Sequence, residues 1–429
     1  MSATKLAADQ ILVEGKVYSS TKLADLHPGG PLFLRAFSGR DATQAFLSYH
    51  RRTFPHSRVK EAFEHHHPDV VYDPATNADY LELCERIDKV IPRMKSFAPW
   101  SYFIKATLIW STAIGLEIHM HYNASYPWFE TALLGFFFAL MGLNVQHDAN
   151  HGSLSRKPWV NRFWGLAQNW YGGSSVSWIH QHVVQHHIHT NDVFLDPDIE
   201  GKSPILRLNP NQPLLKAYAF QHVHYFLLIL VFGYNIIYQA VTTVLEFANK
   251  APFSVLLRPY ILGEHIWNVF FVVRWFLLPI VLAPSLWTPL TIMPMFMVFG
   301  TYLSFFFHIS HNFDGVEQLE DTSSKNSFLY NQLITSSNVC GAKLCFLNGG
   351  LNYQIEHHLF PRMHHSHYPT VAPHVRNFCE EKGLPYHHFP TIRENLSSCI
   401  NHLSDFGRKE VPRAAEKLDI AKRIVRNIS

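Results

Sequence analysis

The sequence predicts an α-helical polytopic membrane protein with about four transmembrane helices, preceded by a small soluble α+β unit. Three observations predict it. Of the 429 residues 47% are hydrophobic and only 16% charged, against about 25% charged in ordinary soluble domains. Four apolar stretches approach the roughly twenty residues that cross a bilayer. The chain also holds 29 histidines, the commonest metal ligand and the side chain that changes charge near neutral pH. A net charge of +3 with no long basic run argues against a nucleic-acid partner. The five cysteines (Cys84, Cys340, Cys345, Cys379, Cys399) lack CxxC spacing and read as reduced thiols, not a disulfide frame or zinc site. The N-terminal MSATKLAADQ has no apolar core, so no cleaved secretory signal is expected.

Residues 1–75 read as the soluble unit, with a strand over ILVEGKVYS, a turn at HPGG and a helix through GRDATQAFLSYH. Residues 76–100 read as linker and pre-membrane helix, the helix covering 79–95, and residues 101–429 as the membrane domain with its C-terminal tail. Within it, 102–120 and 127–145 form one expected hairpin of spans, and 266–283 and 286–307 a second. The stretches 159–171 and 217–246 carry interspersed His, Gln, Asn and Tyr and are expected as interfacial or half-buried helices. The tight loops 121–126 and 283–286 contain no Lys or Arg, whereas the 146–265 connection carries Arg156, Lys157, Arg162, Lys202, Arg207, Lys216, Lys250 and Arg258. The positive-inside rule then places both termini and that connection in the cytosol. Residues 405–429 read as a solvated amphipathic helix.

In the soluble unit, His27 opens His27-Pro28-Gly29-Gly30, and His50 closes the segment that begins Gly39-Arg40-Asp41-Ala42-Thr43. Two nitrogen ligands on opposite faces suit an electron-transfer haem. The glycines permit a sharp turn, and Phe33, Phe37 and Phe46 are candidate apolar walls. HPGG followed at this distance by GxDATxxFxxxH resembles the cytochrome b5 family. That resemblance implies haem b with His27 and His50 as axial ligands.

In the membrane domain, His147-Asp148-Ala149-Asn150-His151 follows the second span, and its i, i+4 spacing puts both imidazoles on one helical face. His182, His186 and His187 form a second box in which His182 and His186 repeat that spacing, and Gln354, His357 and His358 form a third. His308 and His311 sit at the expected cytosolic end of the fourth span. Eight or more imidazoles at one membrane face exceed the four ligands of one zinc and fit two metals. An attached electron donor selects a redox metal, with iron foremost among those imidazole suits.

The pattern HDxxH, HxxxHH, QxxHH resembles the membrane fatty acid desaturases, and within them the front-end enzymes fused to cytochrome b5. The segments MGLNVQHDANHG, QHVVQHHIHTNDVFLDPD and GGLNYQIEHHLFPR are similar to algal and microbial enzymes that act at the fourth or fifth carbon of long polyunsaturated chains. The resemblance covers essentially the whole chain. It implies two non-haem irons held in a cytosolic helical cap by His147, His151, His182, His186, His187, His311, His357 and His358, with Gln354 on or near the metal. His180 and His189 are expected in supporting roles, Asp148 and Asn150 to orient imidazoles, and His308 is left open.

The implied activity inserts a cis double bond between an existing double bond and the carboxyl end of a polyunsaturated acyl chain, at the delta-4 or delta-5 position. Its implied partners are the acyl substrate as CoA or phospholipid ester, O2, NADH-cytochrome b5 reductase and membrane lipid, at the endoplasmic reticulum with both termini and the histidine boxes cytosolic. Arg156, Lys157, Lys202 and Arg362 are candidate headgroup cations. Arg274, inside the third span, is a functional-site candidate by its position. A sphingolipid desaturase and a di-iron hydroxylase share these boxes, and a non-catalytic membrane-anchored haem protein is the remaining reading.

Overall fold

The computed structural model describes residues 5–200, 205–244, 255–320, 322 and 326–409. The expected first strand is a hairpin. β1 (Gln10–Val13) pairs antiparallel with β2 (Lys16–Ser19), because Glu14 and Gly15 both take positive φ, 51° and 73°, as a two-residue primed turn requires. β3 (Phe63–His66) completes the sheet, and short helices Ser20–Leu26, Leu32–Ala36 and Thr43–His50 pack beside it. The Ala78–Val90 helix follows and ends just before Pro92. Its buried stripe of Tyr80, Leu83, Cys84 and Ile87 shares a core with Phe328, Leu359, Val371 and Phe378. The expected pre-membrane helix is therefore a strut that docks on the histidine-bearing cap.

The remainder is mostly helical. Among the described residues four helices are long and apolar enough to cross a membrane: Trp128–Asn150, Lys216–Tyr238, Gly263–Leu282 and Thr288–His311. This set differs from the expected one in two places. A helix forms over Trp100–Tyr122, but Lys105, Glu117, His119 and His121 lower its apolar character and it is not among the four. Lys216–Tyr238, set apart as interfacial for its polar residues, meets the criterion. It packs along Thr288–His311 through Tyr225 on His308, ring centres 4.5 Å apart, and Tyr234 on Phe296, also 4.5 Å. Tyr225 and Tyr234, two of the polar residues that suggested an interface, thus face protein. Gly300 makes this approach possible, since an added Cβ would lie 2.1 Å from the Gly233 nitrogen.

Arg274 is explained by its neighbours. Its Nε donates to Glu117 Oε2 at 2.9 Å and its Nη2 to the Trp170 carbonyl at 3.0 Å. A paired, hydrogen-bonded charge is the form in which arginine is tolerated in such a place, so Arg274 ties three helices together. The tail beyond residue 409 lies outside the described residues.

Candidate metal centres and haem pocket

Two stretches of helix that carry the boxes are wound as π-helix, Gly142–Gln146 directly before His147 and Ile179–His186 through the second box. Such local underwinding often marks functional sites. In the second stretch it has a direct consequence. The His187 amide donates to the His182 carbonyl at 2.9 Å, an i→i+5 bond, so His182 and His187 face each other with Nε2 atoms 3.1 Å apart. His182 and His186 therefore fall in different clusters, where i, i+4 spacing suggests one.

The imidazoles converge instead as two clusters. His147, His151, His182 and His357 form the first, and His186, His311 and His358 the second, with the ligand atoms of each within 4.8 Å of one another. That is close to the roughly 4 Å spanned by two metal–nitrogen bonds of about 2.0–2.1 Å. The adjacent His357 and His358, rings at 90°, serve one cluster each. Gln354 joins the second cluster, its side-chain amide 2.8 Å from His311 Nε2 and 3.3 Å from His358 Nε2. His187 lies between the clusters, its ring stacked on His358 at 4.3 Å and 4.6 Å from that of His151.

Outer partners turn these rings so that Nε2 points inward. His151 Nδ1 bonds the Tyr49 hydroxyl at 2.9 Å and His357 Nδ1 the Tyr368 hydroxyl at 3.2 Å. His186 Nδ1 meets Asp196 at 3.1 Å, His358 Nδ1 donates to Gln332 Oε1 at 2.8 Å, and His311 Nδ1 donates to the Thr335 carbonyl at 2.9 Å. Fixing Nδ1–H in this way selects the tautomer whose Nε2 lone pair can bind metal. The inward Nε2 atoms of His147, His151 and His357, and the Gln354 Oε1, are buried without a protein partner. Burial also pushes His151, His182, His187, His357 and His358 well below the ordinary imidazole pKa, keeping them neutral as metal ligation demands. Buried, neutral, unpartnered nitrogens fit two metal ions.

Other residues are placed differently from expectation. Asp148 accepts from His365 Nδ1 at 2.6 Å, and the Asn150 amide donates to Gln146 and Gln168 at 2.8 and 2.9 Å; neither is seen to hold a ring of the two clusters. His189 bonds Thr322 at 2.7 Å, and His308 stacks on Tyr225 away from both clusters. The outer partners Tyr49, Tyr368, Asp196 and Gln332 were not anticipated. Only Asp196, in the Asp-Pro-Asp that trails the second box, carried a local signal.

Between the first cluster and the membrane helices lies a narrow cavity of about 130 Å³. His147, His182, His186 and Trp178 line its inner part, and Phe232, Ile236, Leu303 and Phe307 its apolar part. An apolar slot that ends on metal-ligand nitrogens suits a hydrocarbon chain.

In the soluble unit, the His27 and His50 rings lie 5.9 Å apart at 67°. Their Nδ1 atoms donate to the Gly30 carbonyl at 2.9 Å and the Phe46 carbonyl at 3.1 Å, leaving both Nε2 atoms for a metal. Two bonds of about 2.0–2.1 Å across one iron put such ring centres about 6 Å apart, so the pair fits a haem. A Cβ on Gly29 would lie 2.7 Å from His27 Cε1, which accounts for glycine there. Burial, with the Arg362 guanidinium as a lesser cause, pushes His50 down to about 3.

Phe33, Phe37 and Phe46 line the haem space as expected, joined by His151 from the other domain. A contiguous cavity of about 1230 Å³ is lined by Arg156, Lys157 and Arg362. Three of the candidate headgroup cations thus line the cavity that His27 and His50 also line, where they would suit an anionic group. Lys202 lies outside the described residues.

Fold and site together define a membrane-embedded polyhistidine metalloprotein with a fused haem domain. Comparison with known proteins makes this specific. The Fatty acid desaturase family matches residues 123–390, and the Cytochrome b5-like Heme/Steroid binding domain matches residues 10–84. The chain is 42% identical over 409 residues to the acyl-lipid (7-3)-desaturase of Rebecca salina, covering 94% of this chain and 91% of the relative. It is 38% identical to the enzyme of the same description from Diacronema lutheri, over 95% and 93%. It is 28% identical to the acyl-lipid (8-3)-desaturase B of Dictyostelium discoideum, over 92% and 91%. The chain belongs to the fatty acid desaturase family, as a front-end desaturase fused to cytochrome b5. It is an oxygen-dependent oxidoreductase, and its cofactors are haem and a non-haem di-iron centre.

Proposed function

We propose that this desaturase inserts a cis double bond at the fourth carbon of a long polyunsaturated acyl chain, with its own haem domain delivering the electrons. The observation that carries the position is which relatives are more similar. Those at 42% and 38% identity are described as (7-3), whereas an (8-3) relative is 28% identical. Taken as carbon numbers, 7 − 3 gives position 4 and 8 − 3 gives position 5. The fifth carbon is the second choice.

His147, His151, His182 and His357 are proposed as ligands of one iron, and His186, His311 and His358 with Gln354 as those of the other, His187 lying between them. His27 and His50 hold the haem. Bound iron with O2 supplies the oxidising power for two adjacent methylenes that side-chain acid–base chemistry lacks. The chain's own residues do the rest. Phe232, Ile236, Leu303 and Phe307 hold the hydrocarbon in register and keep water out, and a fixed register presents only one pair of carbons to the centre. The tight fit of imidazoles instead of carboxylates avoids burying net charge beside the hydrocarbon.

NADH-cytochrome b5 reductase is the proposed source of electrons, and an acyl group on phospholipid or CoA the substrate. The proposed setting is the endoplasmic reticulum with both termini and all histidine boxes cytosolic. This takes Trp100–Tyr122 with Trp128–Asn150, and Gly263–Leu282 with Thr288–His311, as the crossing pairs and keeps Lys216–Tyr238 on the cytosolic side. The Lys and Arg residues of the 146–265 connection support it. The proposed domain limits are 1–75 for the haem domain, 76–100 for the linker and pre-membrane helix, and 101–429 for the desaturase domain.

The test is fatty acid analysis with double-bond localisation in yeast that expresses this chain and is fed polyunsaturated acids of eighteen to twenty-two carbons, beside a His147→Ala strain. A new bond at carbon 4, absent from the mutant, is the expected result. A product at carbon 5 moves the assignment, and no product from any acid with normal haem overturns it.

A further inference from the structure

The helix that carries the haem ligand His50 also reaches the non-haem centre. Thr43–His50 ends on two residues with different duties. Neighbouring positions on a helix point about 100° apart and do not share a face. His50 stacks on Phe46 at 4.2 Å, on the haem side. Tyr49, the next residue back, points across the domain boundary to His151, hydroxyl to Nδ1 at 2.9 Å and ring centres 6.4 Å apart.

Three features make this contact more than docking. His151 Nε2 is buried without a protein partner and belongs to the first cluster. With Nε2 turned to metal, Nδ1 carries the proton and donates it to the Tyr49 oxygen. Tyr49 also lines the haem space itself, together with His151 and Phe33. The boundary is closely packed here, since Phe33 lies 5.6 Å from the Tyr49 ring, and a Cβ on Gly152, beside His151, would touch Phe33 at 3.4 Å. One peptide unit and one hydrogen bond therefore join a haem ligand to a cluster histidine, with no solvent layer required between them.

We propose that Tyr49 is a positioning residue for electron transfer, the bridge by which the haem held at His50 reduces the iron held at His151. The inference rests on the reading that this chain's own haem domain feeds its desaturase centre. In each transfer one electron leaves the ferrous haem, which becomes ferric, and one ferric non-haem iron becomes ferrous. Tyr49 is neither oxidised nor deprotonated. Two transfers, two protons from solvent, O2 and two substrate hydrogens balance to one alkene and two waters.

The test compares full-length wild type, Tyr49→Phe and His27→Ala in detergent or nanodiscs, with rates taken per bound haem and iron. Haem is reduced through cytochrome b5 reductase, and its reoxidation with substrate and air is followed by stopped flow. Tyr49→Phe is expected to keep the haem spectrum and its rate of reduction, while haem reoxidation slows by about tenfold, the scale on which outer partners of metal ligands act. Product formed when dithionite and a small mediator reduce the iron directly is expected to fall by much less than the reductase-driven product. Wild-type reoxidation in Tyr49→Phe overturns the proposal, as does an equal loss under direct reduction, which would mark a role in ligand geometry alone. Full reductase-driven activity of His27→Ala would instead remove the underlying reading of electron delivery.

Discussion

The two histidine clusters are neighbours built by different means. The first has four imidazoles, two of them held from outside by tyrosine hydroxyls, Tyr49 and Tyr368. The second has three, with a carboxamide at Gln354 in the remaining place, and its rings are held by Asp196, Gln332 and the Thr335 carbonyl. A carboxylate on Nδ1 raises the basicity of an imidazole, whereas a hydroxyl mainly fixes its direction. The second cluster thus sets a strongly polarised His186 against a weaker amide donor. The first sets uniform imidazoles against the haem domain, through Tyr49. The comparison teaches that the two candidate metal sites are unequal by construction, the first joined to the haem domain through Tyr49 and the second carrying a carboxamide where the first has an imidazole.

The largest expected effect comes from removing either cluster outright. His147→Ala and His311→Ala are each expected to lower product formation to below about one-hundredth of wild type, beyond the range for outer partners. Metal analysis is expected to find about one of the two non-haem irons lost in each. Loss of both from either variant would mean that the clusters do not load separately.

Gln354→His makes the second cluster resemble the first. Product formation is expected to fall roughly 10–100-fold with both irons retained, read by product yield beside iron content. Undiminished product would remove the reason for the asymmetry.

The smallest effects separate the outer partners. Asp196→Asn is expected to weaken iron binding by about tenfold at one site only, and Tyr368→Phe by less, as read by chelator competition. Equal losses would erase the distinction between carboxylate and hydroxyl support.

Much of this was legible in the sequence because the chemistry is local. HPGG with its distant His50, and the boxes at 147–151, 182–187 and 354–358, announce ligands by residue type and spacing. What spacing could not reveal was allocation. Periodicity assumes α-helical winding, and the π-wound Ile179–His186 segment sends His182 and His186 to different clusters. Outer partners were equally hidden, since Tyr49 and His151 are 102 positions apart and meet only when the domains dock. Convergence of charge was hidden for a related reason. Arg156 and Arg362 read separately as headgroup cations in sequence, and the docked domains bring them to one cavity beside His27 and His50. The stretch 217–246 reads as interfacial because its polar residues give no sign of the neighbouring helix on which Tyr225 and Tyr234 pack; residues 245 and 246 lie outside the described residues.

The inequality of the two metals is tested most directly by Mössbauer spectroscopy of isotopically enriched protein, wild type beside Gln354→His. Two distinct non-haem iron signals of equal area are predicted for wild type, and in the variant only one of them moves. A single signal in wild type, or both moving together in the variant, would contradict the account.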